Sequence, residues 1–419
     1  MPKYFFILGS HQVLSLAEIF SYFRKKQLEI KLLHLKKGVL IIESDKKIDL
    51  EKLNKKLGGI VKSGPIKIEE EKGHDLSETL KNIFNPENIL NNFVSKTDKK
   101  IYVGFSLYVQ KNKIFNQTKA QIKDLLISAK NKFKEREIKS RVVSSRSRRL
   151  SSVVVKKNKL LSQGSEINIF IFGSKIMLGR TETVQDFEDY SFRDYKRPAR
   201  DMDIGMMPPK LARMMINISG GDKNDVLLDP FCGCGTILQE ALLLGFAEVI
   251  GSDVSAKAIS KTKKNIKWLE NKYNLENRKV RIFKLDISYL GKNLKSNLID
   301  LVITEPYLGP VLKNKLNQKE TRKITDQLIN LYRNFFKEIK KVLRKRGKIV
   351  IIWPVFKTYK GFQNLPILEE VIKMGFRQEK ILPDELKNKS FSEITRRGSV
   401  IYSRQGQNIL REIFVFNNQ

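Results

Sequence analysis

Apolar residues along the chain change period several times, and each change marks an element. Tyr4 to Leu8 is a short strand-like run, after which Leu16, Ile19, Phe20 and Phe23 recur at helical spacing. Ser15 reads as the N-cap of that helix, with Glu18 three residues on as a capping-box partner. LEIKLL and GVLIIE, joined at Lys36-Lys37-Gly38, predict a strand pair, so residues 1–60 read as a small α+β unit. The pattern restarts after Val61. IYVGFSLYV (101–109) predicts a strand and Lys119 to Glu137 a basic amphipathic helix. SSVVV (151–155), EINIFIF (166–172) and KIMLGRT (175–181) predict further strands, so 61–185 reads as a second α+β region. Residues 186–205 are polar and weakly periodic, which predicts a linker.

From residue 206 the rhythm is strand and helix in turn. Helices are predicted at 209–218, 236–244, 255–273, 323–343 and 365–374, and strands at 226–229, 248–252, 279–285, 299–304 and 348–353. That alternation implies an α/β fold with a mostly parallel, doubly wound sheet over 206–419. SVIYSR and ILREIFVF, separated by QGQN, predict a terminal hairpin that adds an antiparallel edge.

Charge changes the picture next. The 419 residues carry 80 Lys and Arg against 45 Asp and Glu, a formal charge of +35. Part of that surplus reflects a Lys-rich composition, but its size favours a polyanionic partner, nucleic acid before membrane. Lys139 to Lys159 concentrates it, with Lys139, Arg141, Arg146, Arg148, Arg149, Lys156, Lys157 and Lys159 and no acidic residue. Such a stretch suits phosphate contacts, or else a solvated edge strand protected by charge. Cys232 and Cys234 are the only cysteines, which excludes a disulfide framework and a four-Cys zinc site; no metal is expected. No apolar run reaches the roughly 18 residues of a membrane span, and the first is too short for a signal peptide. The expectation is a soluble, cytoplasmic protein without a membrane partner.

The segment VLLDPFCGCGTILQEALLLG carries the candidate chemistry. A strand at 226–229 delivers Asp229 to the carboxyl end of the sheet, where open α/β sheets bind ligands, and Gly233 and Gly235 allow a tight turn into the next helix. No Lys-Ser/Thr follows, so this is not a P-loop, and Leu238 stands where a dinucleotide fingerprint has its third Gly. VIGSDVS and FKLDIS place Asp253 and Asp286 at the next two strand ends. One such Asp could be merely a helix N-cap. Three in successive units would line one cleft, which points to a cofactor whose ribose diol Asp253 accepts from.

DPFCGCGT with these acidic strand ends resembles the Rossmann-like methyltransferases that use S-adenosylmethionine. LGSHQVLSLAEI, RVVSSRSRRLSSVVVKKNKLL, RDYKRPARDMDIGMMPPKLARMMINISG and DPFCGCGT occur in that order. The arrangement resembles the tRNA guanosine-N2 methyltransferases with an N-terminal THUMP domain, over about residues 4 to 310. The resemblance implies that Asp229, Phe231, Gly233 and Gly235 hold the methionine moiety, Asp253 the ribose, and Asp286 with Ile287 the adenine. It places Met207, Pro208, Pro209 and Lys210 beside the cofactor. It also implies a THUMP-like region at 61–185 in which Arg141, Arg146, Arg148, Arg149, Lys156 and Lys157 meet tRNA or another structured RNA; whether an accessory subunit takes part stays open.

The acceptor motif departs from the family pattern, an Asp or Asn, two prolines and an aromatic at the end of the fourth strand. Here LVITEPYLGP puts Thr304, Glu305, Pro306 and Tyr307 at that place. A purine amine is a poor nucleophile, and hydrogen-bond acceptors draw its lone pair out of conjugation while an aromatic stacks on the base. Thr304 is a weaker acceptor than a carboxylate, and Glu305 could supply the charge. Two rivals remain at this point: an amino-methylating DNA methyltransferase, and a non-catalytic RNA-binding protein with a degenerate methyltransferase fold.

Overall fold

In a computed structural model of the chain, the apolar runs assemble into two nine-stranded sheets. The structure describes residues 1–94, 100–109, 112–145, 147–201, 206–275, 278–312, 314–386, 389 and 391–419, with side chains left aside at 112–117 and 385. Two units result. The first comprises Met1–Ser10, Gln27–Lys56 and Ile60–Phe187, and the second His11–Lys26, Leu57–Gly59 and Glu188–Gln419.

In the first unit the strands are β1 (Lys3–Leu8), β2 (Ile30–Lys36), β3 (Val39–Ser44), β4 (Ile60–Glu71), β5 (Ile101–Val109), β6 (Ser140–Val143), β7 (Gly164–Phe172), β8 (Lys175–Arg180) and β9 (Thr183–Val184). Their order is β2-β3-β1-β4-β8-β7-β5-β6, with β9 on β4. The first 60 residues therefore form no sheet of their own: Phe5 of β1 pairs with Ile41 on one side and Gly64 on the other. A strand buried like β1 must satisfy its backbone on both edges, and β4 supplies the second.

Three local readings change. The first helix, Gln12–Lys25, starts ahead of Ser15 and has His11 as its N-cap, so Glu18 caps nothing. Val153 to Val155 are not in a strand but in the helix Ser152–Lys157, whose cap Ser151 accepts from the Val154 amide. That cap, with Val155 buried among Val143, Leu150 and Leu160, outweighs the strand preference of three β-branched residues. The expected linker contains the helix Phe187–Tyr195.

The second unit holds β10 (Val226–Asp229), β11 (Glu248–Asp253), β12 (Lys279–Lys284), β13 (Ile299–Thr304), β14 (Leu343–Thr358), β15 (Gly361–Asn364), β16 (Phe376–Gln378), β17 (Val400–Tyr402) and β18 (Ile409–Asn418). The order is β12-β11-β10-β13-β14-β18-β16, with β15 on β14 and β17 on β18. β10 to β14 run parallel, and β18 runs antiparallel to β14. The terminal hairpin forms, but β18 lies inside the sheet between β14 and β16 rather than at its edge. Apolar clusters cover both faces, as a parallel sheet requires. Among the described residues no helix is long and apolar enough to cross a membrane.

Candidate active site

Because β12, β11, β10 and β13 are neighbours in that order, their carboxyl ends bring Asp286, Asp253, Asp229 and Thr304 into one row. Between β10 and the next helix the chain turns through Gly233 at φ +53° and Gly235 at φ +78°. At Gly235 a Cβ would lie 2.8 Å from Thr262, whereas at Gly233 it would meet nothing within 4 Å. Gly235 is thus required by packing, and Gly233 leaves open space above the turn. The Gly233 amide donates to Asp253 Oδ2 at 3.0 Å, and the Thr262 hydroxyl donates to the Gly233 carbonyl at 2.8 Å. Asp253 Oδ1 accepts from the Ser255 amide at 2.9 Å, so this carboxylate braces the turn and still has lone pairs to offer. Asp286 is exposed and accepts from the Ser288 amide at 2.8 Å, while Ile287 is buried. The Ser288 amide and hydroxyl hold the Asp286 carboxyl below the usual range. Phe231 packs against Phe335 with ring centroids 6.0 Å apart.

The acceptor residues divide by burial. Thr304 is wholly buried, and its hydroxyl donates to Asp229 Oδ1 at 2.7 Å. Glu305 is half-buried and accepts from Arg411 Nε of β18 at 2.5 Å. Pro306 is buried, whereas Tyr307 is 53% exposed. Burial pushes the Asp229 carboxyl up to about 7; the Thr304 hydroxyl and Phe231 amide oppose that shift, and the charges of Asp253 and Glu305 add to it. Since an unfolded Asp titrates near 4, Asp229 takes up a proton on folding between about pH 4 and 7. Its contribution to stability is complete below pH 4 and is lost as pH rises through 7. In a comparison of wild type with Asp229→Asn, the wild type is expected to lose about 4 kcal/mol more across that window. Urea unfolding at several pH values checks this; parallel pH profiles would refute it.

Residues outside the expected site hold the Gly turn and its helix in place. Arg193 and Arg213 each donate through Nε at 2.7 Å to Glu240, which is buried in the helix following the Gly turn. Arg197 donates at 2.6 Å to Thr236, the first residue of the same helix. Asn265 donates to the carbonyls of Ala199 and Cys234, both at 2.9 Å. The expected linker is thus tied to the turn by charge-assisted bonds. One signal was available: a lone Glu in the apolar helix TILQEALLL must find cations when buried. Met207 is buried, and Pro208 is the N-cap of the helix Pro209–Ile218. Lys210 lies 5.2 Å above the Tyr190 ring.

The basic stretch belongs to the first unit. Arg141, Arg148, Arg149, Lys156 and Lys157 are exposed, whereas Arg146 lies outside the described residues. Arg149 sits 4.3 Å over the Tyr108 ring, and Lys156 faces Asp186 at 3.8 Å. Behind the loop, Lys62 donates to both Glu166 and the Leu150 carbonyl at 2.6 Å, and the Leu150 amide donates to Ser106 at 2.9 Å. Ser106 and Thr181 also donate to Glu166. A buried ion pair therefore fixes the end of the Arg148-Arg149 segment.

A family model described as RMKL-like, methyltransferase domain, matches residues 197–374, and a model described as DNA methylase matches residues 29–264. The second match ends before β12 and omits the acceptor strand. The tRNA (guanine(10)-N2)-dimethyltransferase of Methanocaldococcus jannaschii is 37% identical over 108 residues, covering 25% of this chain and 29% of that protein. Its namesake from Methanothermobacter thermautotrophicus is 32% identical over 162 residues, covering 39% and 42%. The chain thus spans under half the length of these two relatives. The fold is shared with TrmN from Thermus thermophilus (TM-score 0.57, 14% identity, 100% of both chains). It is shared too with SMU.472, complexed with SAH (TM-score 0.51, 13% identity, 100% and 98%). A protein of Methanothermococcus thermolithotrophicus named "Probable tRNA (guanine(10)-N2)-dimethyltransferase" is 33% identical over 144 residues, 34% of this chain and 77% of its own length. With that coverage at that identity, the chain belongs to the tRNA (guanine-N2) methyltransferase family.

Proposed function

We propose that the protein is an S-adenosylmethionine-dependent tRNA methyltransferase that methylates the exocyclic N2 amine of a guanosine. The observation that carries this is the row Asp286, Asp253, Asp229 and Thr304 on adjacent strand ends, with Glu305 following directly. The residues fit the cofactor: open space above Gly233 admits it, and Asp253 has lone pairs left for a ribose diol. Asp286 and the Ile287 backbone suit the adenine, and in this reading Phe231 and the Met207–Lys210 segment contact the cofactor as well. When bound, S-adenosylmethionine supplies an electrophilic methyl carbon on a sulfonium.

The protein's own part is to orient the amine and raise its nucleophilicity. In this reading Glu305 accepts from the amine, Arg411 aims the carboxylate, and Thr304 keeps Asp229 in place. Tyr307 stacks on the target base. Residues 61–185 act as a THUMP-like RNA-binding region whose Arg and Lys side chains neutralise phosphates. Replacing Arg148 and Arg149 with Ala is expected to weaken tRNA binding and lower its log–log salt slope by up to about two. Filter binding at several salt concentrations measures this, and an unaltered slope would move the footprint elsewhere.

The match to a DNA methylase model keeps one second reading, amino-methylation of DNA, within the same test. Bulk tRNA and duplex DNA are incubated separately with enzyme and labelled S-adenosylmethionine, and the nucleosides are resolved by mass spectrometry. N2-methylated guanosine from tRNA is the expected product. Label in DNA alone would select the second reading; RNA binding without product would select a non-catalytic protein.

A further inference from the structure

β14 does not stop where its parallel partner stops. β13 ends at Thr304 opposite Ile351, but β14 runs seven residues further to Thr358, about 23 Å at ~3.3 Å per residue. There it folds back through Tyr359-Lys360 into β15, with Val355 opposite Asn364 and Thr358 opposite Gly361. The root of this hairpin is anchored, since Val355, Phe356 and Leu365 are buried. Its tip is the reverse. Tyr359 is 73% exposed and Phe362 is 68% exposed. Leu316 bridges to Thr358, and its amide donates to the Lys357 carbonyl at 3.4 Å. The hairpin is thereby joined to the segment that leaves the acceptor motif, where Tyr307 and Val311 (71%) are exposed as well.

Two large rings held in solvent on a hairpin tip contribute little to the core, and exposed apolar groups gathered beside an active-site edge mark an interaction surface. Charge identifies the occupant. Between Glu305 and Glu320 the described residues include the exposed Lys315 and Lys319, and between Trp353 and Glu369 lie Lys357 and the exposed Lys360, with no acidic residue inside either interval. Aromatic faces interleaved with lysines are the surface that takes unpaired nucleotides, with rings stacking on bases and ammonium groups meeting phosphates. A protein partner with an apolar face would not require lysines beside these rings.

We propose that the β14–β15 hairpin is a stacking platform for unpaired RNA bases flanking the target nucleotide, with Tyr359 and Phe362 as the stacking rings. This rests on the reading of the protein as an RNA methyltransferase and adds a binding surface on the catalytic unit.

The test uses the full chain with tRNA and, as a second probe, a single-stranded oligoribonucleotide. In the Tyr359→Leu/Phe362→Leu variant, bulk and hydrophobicity remain and the π-faces are lost. Affinity for both probes, and kcat/KM on tRNA, are expected to fall roughly 10- to 100-fold, while S-adenosylmethionine affinity and Tm hold. The Tyr359→Phe/Phe362→Tyr variant keeps both rings and is expected to stay within about threefold of wild type. Wild-type affinity in the Leu variant overturns the proposal. So does equal loss in both variants, since that would reflect general damage to the hairpin. Sedimentation without RNA covers a further occupant: a dimer abolished in the Leu variant, with RNA affinity unchanged, would assign the patch to a second copy of the chain. A wild-type protein that binds tRNA but methylates none would refute the enzymatic reading, and the affinity comparison would still decide the hairpin.

Discussion

Glu305→Gln is expected to slow single-turnover methylation of saturating tRNA by about 10²-fold, with tRNA and cofactor affinity little changed. Two side chains at the end of β13 divide the work. Thr304 has its hydroxyl committed to Asp229 and is wholly buried, so its main effect is on that carboxyl. Glu305 is half-buried, carries charge and spends one of about four lone-pair positions on Arg411. A carboxylate polarises an amine better than an amide oxygen does, and Gln also loosens the contact that aims the group. Thr304→Val is expected to cost less in the chemical step and to shift the pH dependence contributed by Asp229. If both variants turn over at the wild-type rate, side-chain acceptors play no part and backbone carbonyls alone polarise the amine.

A comparably large effect is expected in the first unit, on stability. Glu166→Ala would leave the Lys62 ammonium buried without its counter-charge, and Ser106 and Thr181 without their acceptor. Breaking a buried pair from one side typically costs 3–5 kcal/mol, and about that loss is expected in urea unfolding. Burial already holds the Lys62 pKa below its ordinary value, with Glu166 opposing, so removing Glu166 favours the neutral amine further. The Lys62→Met/Glu166→Leu double variant is expected to recover only the part of the loss due to the unpaired charge, because Ser106, Thr181 and the Leu150 carbonyl still lack their partners. A single variant that loses less than about 1 kcal/mol would mean that water reaches Lys62. Because Lys62 also holds the Leu150 carbonyl, the single variant is further expected to weaken tRNA binding by loosening the Arg148-Arg149 segment.

The candidate site was legible in the sequence where its residues are close in the chain. Asp229, Gly233 and Gly235 lie within seven positions, and their strand–turn–helix setting follows from local period and from glycines at positive φ. Asp253 and Asp286 could be assigned to strand ends because parallel strands alternate with helices, which brings like ends to one side of a sheet. Pairings between distant segments were not legible. Glu18 reads locally as a capping residue, yet it is buried and accepts from the amides of Gly58 and Gly59 and from Asn217, each at 2.7 Å. Those partners draw the first helix into the second unit, which no periodicity within residues 1–60 could announce. Val153 to Val155 follow the same rule, since a cap and a buried pocket overrule a propensity worth about 1 kcal/mol at most. Local spacing thus determined which residues end strands and make turns. Tertiary structure alone decided that Thr304 serves Asp229 and that Glu305 meets Arg411, because those contacts join residues 75 and 106 positions apart.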